Sequence, residues 1–167
     1  MSLNIVFYEP EIPFNTGAIA RSCGLTNTRL HLIEPLSFSI DDKHVKRAGL
    51  DYWHLVDINV YKNFQELRDE YPENTFYYAS TKSSKKYSDV KFKDGDFIVF
   101  GPETRGLPED LINENMETAI RIPMLKDFGR SLNLSNSANI ILFEALRQLD
   151  FLDLEWYKKW KKSWEMK

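Results

Sequence analysis

The chain has 167 residues, of which 43% are hydrophobic and 28% are charged, so it can bury the core of one domain and is not disordered. Its 22 basic and 25 acidic side chains give a net charge of −3, which does not by itself indicate a nucleic-acid-binding protein. The apolar runs are too short to span a bilayer, the N-terminus lacks the basic segment of a signal peptide, and one cysteine cannot form an internal disulfide. We therefore expect a cytoplasmic protein without a membrane segment.

Predicted strands and helices alternate along the first half of the chain. Apolar runs predict strands at residues 3–8, 29–34 and 54–60. Amphipathic segments predict helices at residues 16–25, 41–48 and 64–71. Asn15 or Thr16 is the expected N-cap of the first helix, because both side chains accept hydrogen bonds from free backbone amides.

The second half continues the alternation. Strands are predicted at residues 75–80, 96–100 and 118–123, and helices at 108–113, 136–149 and 154–164. The strands are continuous apolar runs, which is typical of a parallel sheet covered by helices on both faces. We predict an α/β fold in which a parallel sheet is flanked by helices.

Three loops after predicted strands are rich in polar residues and glycine. They are EPEIPFNTGAIARSCG, GPETRGLPEDL and IPMLKDFGRSLNLSNSAN. Parallel sheets bind ligands beyond the carboxyl ends of their strands, so we expect the functional site there. The chain contains no GxGxxG and no GxxxxGK[ST], which argues against a dinucleotide site or a P-loop. Its three histidines and Cys23 lack metal-ligand spacing, so no metal site is expected, and His31 is predicted to be a core residue.

Two of these loops carry charged residues with two possible roles each. Gly101 ends a predicted strand and would let a ligand approach the backbone closely. Glu103 and Arg105 follow in the same loop, either as site residues or as an incidental ion pair. Arg21 lies about one and a half turns into the first helix, either solvated or directed at a phosphate or a reacting oxygen.

The stretch RSLNLSNSANIILFEALRQ places five serines and asparagines directly before an apolar helix. Ser135 or Asn136 is predicted to cap this helix, and the remaining polar residues can bind a polar ring or a ribose. The helix itself is apolar on more than one face, with Phe143 directed away from the stripe that contains Leu142. We predict that a second copy of the chain covers the additional apolar surface.

Basic residues are clustered despite the acidic balance. Clusters occur at 43–47, at 82–86 and at 158–162, and any of them could be a solvated face or a phosphate-binding patch. Residues 152–167 are predicted to form a helical tail whose tryptophans, Trp156, Trp160 and Trp164, lie on one stripe. We expect this tail to pack on the domain formed by residues 1–151 or on a partner chain.

The motifs NTGAIAR, IVFGPETRGLP and IRIPM…RSLNLSNSANI resemble, in order and spacing, those of the SPOUT methyltransferases of the TrmH type. The resemblance is greatest to the TrmL (YibK) group, small 2′-O-ribose methyltransferases of the tRNA wobble nucleotide. It covers about residues 3–151 and implies a deep trefoil knot in the C-terminal half of the fold. It also implies a homodimer that binds S-adenosyl-L-methionine and tRNA.

Site residues are carried over from the resemblance position by position. Ala79, Gly101, Ile122 and Ser131 match the family's cofactor contacts, and Met124 and Leu132 lie in the same loops and are expected to line the adenine pocket. The implied catalytic residues are Arg21, Asn15, Glu103 and Asn133, with Asn133 facing the reacting ribose. The residues predicted to contact RNA are Lys43, Lys46, Arg47 and Arg105. The chain departs from the family at Ala79, where relatives carry the larger leucine.

The implied reaction transfers a methyl group to the 2′-hydroxyl of the wobble nucleotide, a cytidine or a modified uridine. The family assigns deprotonation of this hydroxyl to the arginine at position 21, but a guanidinium is a poor base. We therefore expect Arg21 to orient the RNA phosphate and stabilise the developing oxyanion. The alternatives are a methyltransferase acting on ribosomal RNA, a catalytically silent RNA-binding protein of this fold, and a nucleotide-dependent oxidoreductase, which the missing glycine motif disfavours.

Overall fold

The computed structural model describes residues 2–40, 53–126, 129–151 and 154–155. Its strands are β1 (Asn4–Tyr8), β2 (Arg29–Ile33), β3 (Ile58–Tyr61), β4 (Phe76–Ala79), β5 (Phe97–Phe100) and β6 (Ala119–Ile120). Its α-helices are α1 (Pro13–Leu25), α2 (Phe64–Glu70), α3 (Glu109–Glu114) and α4 (Leu134–Gln148), and short 3₁₀ turns occur at Trp53–Leu55 and Tyr87–Asp89. The predicted helix at 41–48 and nearly all of the predicted C-terminal tail lie outside the described residues.

The described strands form one sheet in the order β3-β2-β1-β5-β4-β6, and all of its neighbouring strands are parallel. The predicted parallel α/β fold is therefore confirmed. The chain first builds outward from β1 to β3 and then returns to the other side of β1, so the order reverses between β1 and β5. Such a reversal opens a crevice at the carboxyl ends of the two strands.

Both faces of the sheet are buried, as the continuous apolar strands predicted. Ile5, Phe7 and Ile98 point to the face covered by α1 and α4. Val6 and Val99 point to the opposite face, where Leu67 of α2 and Ile112 of α3 pack. This alternation follows from the two-residue period of a strand, and apolar side chains on both faces leave no side of the sheet for water.

Two predicted helix starts are wrong, for different physical reasons. Helix α1 begins at Pro13, three residues before the predicted start, because proline suits the first turn, and its N-cap residue Ile12 makes no side-chain cap bond. Helix α4 begins at Leu134 with Asn133 as its N-cap, so neither Ser135 nor Asn136 is the cap. The Asn133 side chain accepts a 3.2 Å hydrogen bond from the Asn136 amide.

Two strands also differ from their predicted extents. The segment predicted as a strand at 54–60 begins as a 3₁₀ turn at Trp53–Leu55, and β3 covers only Ile58–Tyr61. Strand β6 has two residues, because it pairs with β4 at the edge of the sheet and the chain then leaves toward α4. In the described part of the chain, no helix is both long and apolar enough to cross a bilayer.

Candidate active site

A cavity of about 470 Å³ lies at the carboxyl ends of β4, β5 and β6. The segments that line it follow β1, β4, β5 and β6, and the first turns of α4 close it from behind. Its volume falls within the range of small-molecule sites in proteins, roughly 300–1,000 Å³. The lining residues include Ile12, Asn15, Ala79, Ser80, Thr81, Lys82, Gly101, Glu103, Thr104, Arg105, Ile122, Met124, Ser131, Leu132, Asn133, Ser137 and Ile141.

The structure brings most of the predicted site residues to this cavity. All six residues implied for cofactor binding line it: Ala79, Gly101, Ile122, Met124, Ser131 and Leu132. Asn15, Glu103, Asn133 and Arg105 line it as well. Arg21 is exposed on α1 and does not line the cavity. Lys43, Lys46 and Arg47 lie outside the described residues.

A chain of hydrogen bonds joins the three polar residues predicted to be catalytic. The Asn133 side-chain nitrogen Nδ2 donates to the Asn15 side-chain oxygen Oδ1 at 2.9 Å. The Asn15 side-chain nitrogen Nδ2 donates in turn to Glu103 Oε1 at 2.8 Å. Asn15 is almost fully buried, with 4% of its surface exposed. Because a carboxylate only accepts hydrogen bonds, it fixes the orientation of the Asn15 amide and, through it, that of Asn133.

The Asn133 side chain makes more hydrogen bonds within the protein than the resemblance implied. Its side-chain oxygen accepts from the Ser135 hydroxyl at 2.7 Å and from the Asn136 backbone amide, while its amide nitrogen donates to Asn15. Only one amide hydrogen of Asn133 therefore remains for a substrate. This residue serves chiefly as the cap of α4 and as a link to the loop after β1, and a contact with the ribose stays a prediction.

Two glutamates tie the loop after β1 to the loop after β5. The Glu103 carboxylate accepts from the backbone amides of Glu11 and Ile12, at 2.8 and 3.0 Å. In return, the Glu11 carboxylate accepts from the backbone amide and the hydroxyl of Thr104, at 3.0 and 2.9 Å. Each glutamate thus satisfies free amides of the other loop, and the pair fixes one wall of the cavity.

Arg105 forms two ion pairs with carboxylates of the loop after β1. Its guanidinium contacts the carboxylates of Glu9 and Glu11, which are only 22% and 23% exposed. Glu9 adopts a left-handed backbone conformation with φ of 48°, which is rare for a residue with a side chain. Burial, and then the neighbouring Glu9, raise the pKa of Tyr8 above its ordinary value. An RNA phosphate would have to compete with two carboxylates for Arg105.

The structure gives a steric reason for glycine at position 101, and the close approach of a ligand to its backbone stays a prediction. A Cβ atom at this position would lie 2.1 Å from the Leu107 backbone nitrogen and 2.2 Å from the Gly106 carbonyl carbon. The missing side chain therefore makes room for the protein's own loop, which folds back over the end of β5. The loop after β5 can approach the cavity only because this position is glycine.

The basic cluster at 82–86 is divided by the structure. Lys82 lines the cavity and pairs with Glu109, whose pKa it holds below the usual range. Lys85 is 3.9 Å from Glu117, and Lys86 is 3.3 Å from Asp89. The two outer lysines do not line the cavity, so the cluster is not one phosphate-binding patch.

Sequence patterns missed several residues that line or shape the site. Glu11 was visible as an acid in a polar loop after a strand, but its partner, Thr104, is 93 positions away. Ser80, Thr81 and Lys82 follow β4, whose carboxyl end was itself a signal for a ligand site. Ser137 and Ile141 face the cavity from α4, whose direction sequence alone could not define.

His31 belongs to the core, as predicted. It is fully buried, and its Nε2 lies 3.0 Å from the Asn4 side-chain oxygen, while Nδ1 has no hydrogen-bond partner among the described residues. Burial lowers the pKa of His31 from 6.5 to about 4. Among the described residues, no group of three histidine, cysteine, aspartate or glutamate side chains could hold a metal ion.

A parallel α/β sheet with a ligand-sized cavity at the carboxyl ends of its strands is the arrangement found in many α/β enzymes. The chain belongs to the SpoU rRNA Methylase family, whose model matches residues 2–143. The family resemblance expected from the three loop motifs is thereby confirmed.

Known proteins resemble the chain over nearly its whole length. A tRNA (cytidine(34)-2′-O)-methyltransferase of Escherichia coli (strain K12) is 47% identical over 151 residues, which are 89% of this chain and 95% of that protein. A solved structure described as giving insight into 2-OH methylation of C/U34 on tRNA is 37% identical, with a TM-score of 0.82 and coverage of 89% and 97%. A Bacillus anthracis crystal structure, described as a candidate RNA methyltransferase, is 45% identical with a TM-score of 0.88 and coverage of 93% and 99%.

Proposed function

We propose that the chain is an S-adenosyl-L-methionine-dependent tRNA 2′-O-ribose methyltransferase that acts on the wobble nucleotide, cytidine 34 or the modified uridine at that position. The observation that carries this proposal is the cavity, which unites the three motif loops in one place. The Escherichia coli relative supports the choice of substrate, because the two sequences are 47% identical over 89% of this chain. We place the enzyme in the cytoplasm, where its tRNA substrate would be found.

The cavity suits the proposed cofactor. Ala79, Ile122 and Leu132 offer apolar surface for an adenine ring, whereas Ser131 and the loop backbones offer donors and acceptors for its polar edge. Bound S-adenosyl-L-methionine would supply an activated methyl group on its sulfonium. Transfer of this group is an in-line displacement at carbon, so the main task of the protein is to position the ribose hydroxyl opposite the sulfur.

The residues of the chain divide this task. The hydrogen bonds that link Asn133, Asn15 and Glu103 hold the loops after β1 and β5 and the start of α4 in a fixed arrangement. The 2′-hydroxyl loses its proton as the bond to carbon forms, and negative charge develops on its oxygen. A guanidinium stabilises such charge without acting as a base, and we assign this role to Arg21 together with orientation of the RNA phosphate.

We also infer that the active unit is a homodimer with a shared site. Helix α1 leaves Phe14 and Leu25 80% and 74% exposed, and the neighbouring α4 leaves Ile140 and Phe143 37% and 47% exposed. Ile141, in contrast, is buried within the protomer, so only part of the predicted additional surface needs a partner. Arg21 does not line the cavity of its own chain. We therefore infer that Arg21 of each chain reaches the cavity of the partner chain.

The shared site can be tested by complementation. Arg21→Ala and Asn133→Ala protomers should each be inactive as homodimers, with turnover lowered by roughly 10² to 10⁴-fold for the arginine variant. If Arg21 acts across the interface, mixing the two should restore about a quarter of the wild-type sites, because half of the dimers are mixed and each has one intact site. No recovery after verified subunit exchange would contradict a shared site.

We further infer that the C-terminal half is knotted, as in the family. Arg121 lies beside residues 85–87, since the Arg121 amide donates to the Lys85 carbonyl at 2.9 Å and the Arg121 carbonyl accepts from the Tyr87 amide at 2.9 Å. The chain then runs from the edge strand β6 back to α4, which packs on α1 and β5. The contact of Arg121 with the loop after β4 supports the proposed threading.

The function is tested by incubating unmodified tRNA with labelled S-adenosyl-L-methionine and analysing the nucleosides by mass spectrometry. The expected product is one labelled 2′-O-methylnucleoside, located at position 34 by fragment mapping. Ribosomal RNA is the second arm, because the family model is described by that substrate. Label in ribosomal RNA alone would replace the proposed substrate, and cofactor binding without transfer to either RNA would indicate a silent RNA-binding protein.

A further inference from the structure

The cofactor-binding residues proposed so far leave the carboxylate of S-adenosyl-L-methionine without a charged partner. The amino-acid end of S-adenosyl-L-methionine carries a carboxylate, yet all six residues expected to hold the cofactor are uncharged. The charged residues that line the cavity are Lys82, Glu103, Arg105 and Arg121. One of the three cations is therefore the expected partner of the carboxylate. This inference rests on the proposed function.

The backbone of Lys82 is held firmly at the cavity rim. The Ser80 amide donates to the Ile120 carbonyl at 2.9 Å, and the Ser83 hydroxyl donates to the Ala119 carbonyl at 2.7 Å. Between them, the Lys82 amide donates to the Ser80 hydroxyl at 3.2 Å. The turn after β4 is thus attached to β6 at two points, and the position from which the Lys82 side chain extends is fixed.

The Lys82 side chain joins two segments that border the cavity. Ala79 pairs with Phe100 in the sheet, so the segments that leave β4 and β5 lie side by side. The ion pair between Lys82 and Glu109 joins these segments, because Glu109 begins the helix that follows the loop after β5. Lys82 therefore links the turn after β4 to the start of α3 at the edge of the cavity that it lines.

The bond between Lys82 and Glu109 is easily exchanged. Their side chains are 57% and 73% exposed, and ion pairs this accessible contribute little to stability. Arg105 is bound to two largely buried carboxylates, which its departure would leave without their cation. Arg121 points to the Ser83 carbonyl, 3.5 Å away. Of the two cations held by carboxylates, Lys82 changes partner at the lower cost, since Glu109 is left in water.

We propose that Lys82 binds the α-carboxylate of S-adenosyl-L-methionine and leaves Glu109 when the cofactor enters. No residue with this role was included in the cofactor set carried over from the family motifs. A lysine ammonium suits it because its compact charge and flexible stem can follow a carboxylate near the mouth of a cavity. Lys82 thereby selects a cofactor that carries the complete amino-acid end.

The proposal is tested by calorimetry with two ligands, S-adenosyl-L-methionine and its decarboxylated analogue. The wild-type protein should bind the complete cofactor roughly 10- to 100-fold more tightly, as expected for one hydrogen bond to a charged group. In Lys82→Gln this preference should disappear through weaker binding of the complete cofactor, while affinity for the analogue stays the same. A preference of tenfold or more retained in Lys82→Gln would overturn the proposal.

Two further variants and one further ligand make the test specific. Lys86→Gln is the matched control, because Lys86 pairs with Asp89 nearby but does not line the cavity. This variant should prefer the complete cofactor over the analogue to the same degree as wild type. Glu109→Gln removes the competing carboxylate and should leave binding of the cofactor equal or tighter. If Lys82→Gln lowers affinity for tRNA without changing the ligand preference, the partner is a phosphate and the proposal fails. Absence of cofactor binding by wild type would instead overturn the proposed function itself.

Discussion

At the scale of single residues, the site depends on which atom of each polar group donates. Glu103 accepts from the Asn15 amide nitrogen, and Asn15 consequently offers its oxygen to Asn133. The order of donors and acceptors runs in one direction across three loops. Replacing any member by a group of the same shape and opposite hydrogen-bonding character should therefore disturb all three.

Asn15→Asp is the sharpest test of this order. The new carboxylate would face Glu103 in a buried place, where two negative charges repel and the pKa of the new carboxyl would be raised. We expect turnover at pH 7 to fall by roughly 10²-fold or more, the scale of losing an organised polar group. Activity relative to wild type should recover as the pH is lowered toward 5, because a protonated carboxyl can donate to Glu103. Asn27→Asp, at an exposed position, is the control, and full activity of Asn15→Asp at pH 7 would contradict the prediction.

Two glycines of the loop after β5 separate steric from conformational requirements. Gly101→Ala places Cβ against the Leu107 backbone, whereas Gly106 has open space around its Cβ but a φ of +71°. We expect Gly106→Ala to cost about 1–2 kcal/mol, the cost of a left-handed residue with a side chain. Gly101→Ala should cost more and should weaken cofactor binding, because the loop must move. Urea unfolding and calorimetry on both variants measure this, and equal stabilities would show that the loop yields easily.

At the scale of helices and strands, most elements follow from local sequence and their ends do not. The apolar runs predicted all six described strands, because burial on both faces leaves a continuous signal. The start of α1 was missed because it depends on Pro13 in its first turn and on Glu103, 91 and 92 positions away, which accepts from the two amides just before it. Asn133 was recognised as a site residue but not as the cap of α4, since neighbouring serines and asparagines offered equivalent caps.

The residues of the candidate site could be predicted from the sequence, but the hydrogen bonds and ion pairs that join them could not. The motif residues at 79, 101, 122 and 131–133 were identified, and all of them line the cavity. Glu9 and Glu11 were not identified, and Lys82 was noted only as part of a basic cluster, because their roles depend on loops that meet only after the strands are ordered as 3-2-1-5-4-6. No local pattern encodes that order.

Strand β2 carries a buried titratable group that makes stability depend on pH. His31 packs against Tyr61, Tyr71 and Phe97, and Asn4 accepts from its Nε2 because the Asn4 amide nitrogen already donates to the Gly95 carbonyl. Protonation would place a second proton on Nδ1, which has no acceptor among the described residues. Burial is the main cause of the lowered pKa, while Asp57 raises it and Arg29 lowers it slightly.

The direction of the pH effect follows from this pKa. The unfolded chain binds the proton near pH 6.5 and the folded chain only near pH 4, so the stability due to neutral His31 is complete above about 6.5 and is lost as the pH falls toward 4. Between pH 7 and 4.5, we expect the urea midpoint of wild type to fall further than that of His31→Gln. His54→Gln, at an exposed position, should behave as wild type. Equal declines in wild type and His31→Gln would assign the acid sensitivity to other groups.

At the scale of the whole molecule, the inferred dimer is tested at Phe143. Its side chain is 47% exposed on α4, beside the buried stripe that contains Leu142. Phe143→Asp should produce monomers, since an unpaired charge in a closed interface costs about 3–5 kcal/mol, and these monomers should not methylate tRNA. Light scattering and a methyl-transfer assay measure the two effects. Glu144→Gln, one position away, is the control, and an active Phe143→Asp monomer would remove the shared site.

The hydrogen bonds across the cavity join residues 88 to 118 positions apart. While the chain is being translated, the first three strands can pair soon after they leave the ribosome, but Glu103, Asn15 and Asn133 cannot meet until the segment through α4 has emerged. A nascent chain therefore has a partial sheet long before it has a place for a ligand. Ligand capture by stalled chains of increasing length should begin abruptly, once residues up to about 141 are outside the exit tunnel, and would report the moment at which synthesis yields a competent enzyme.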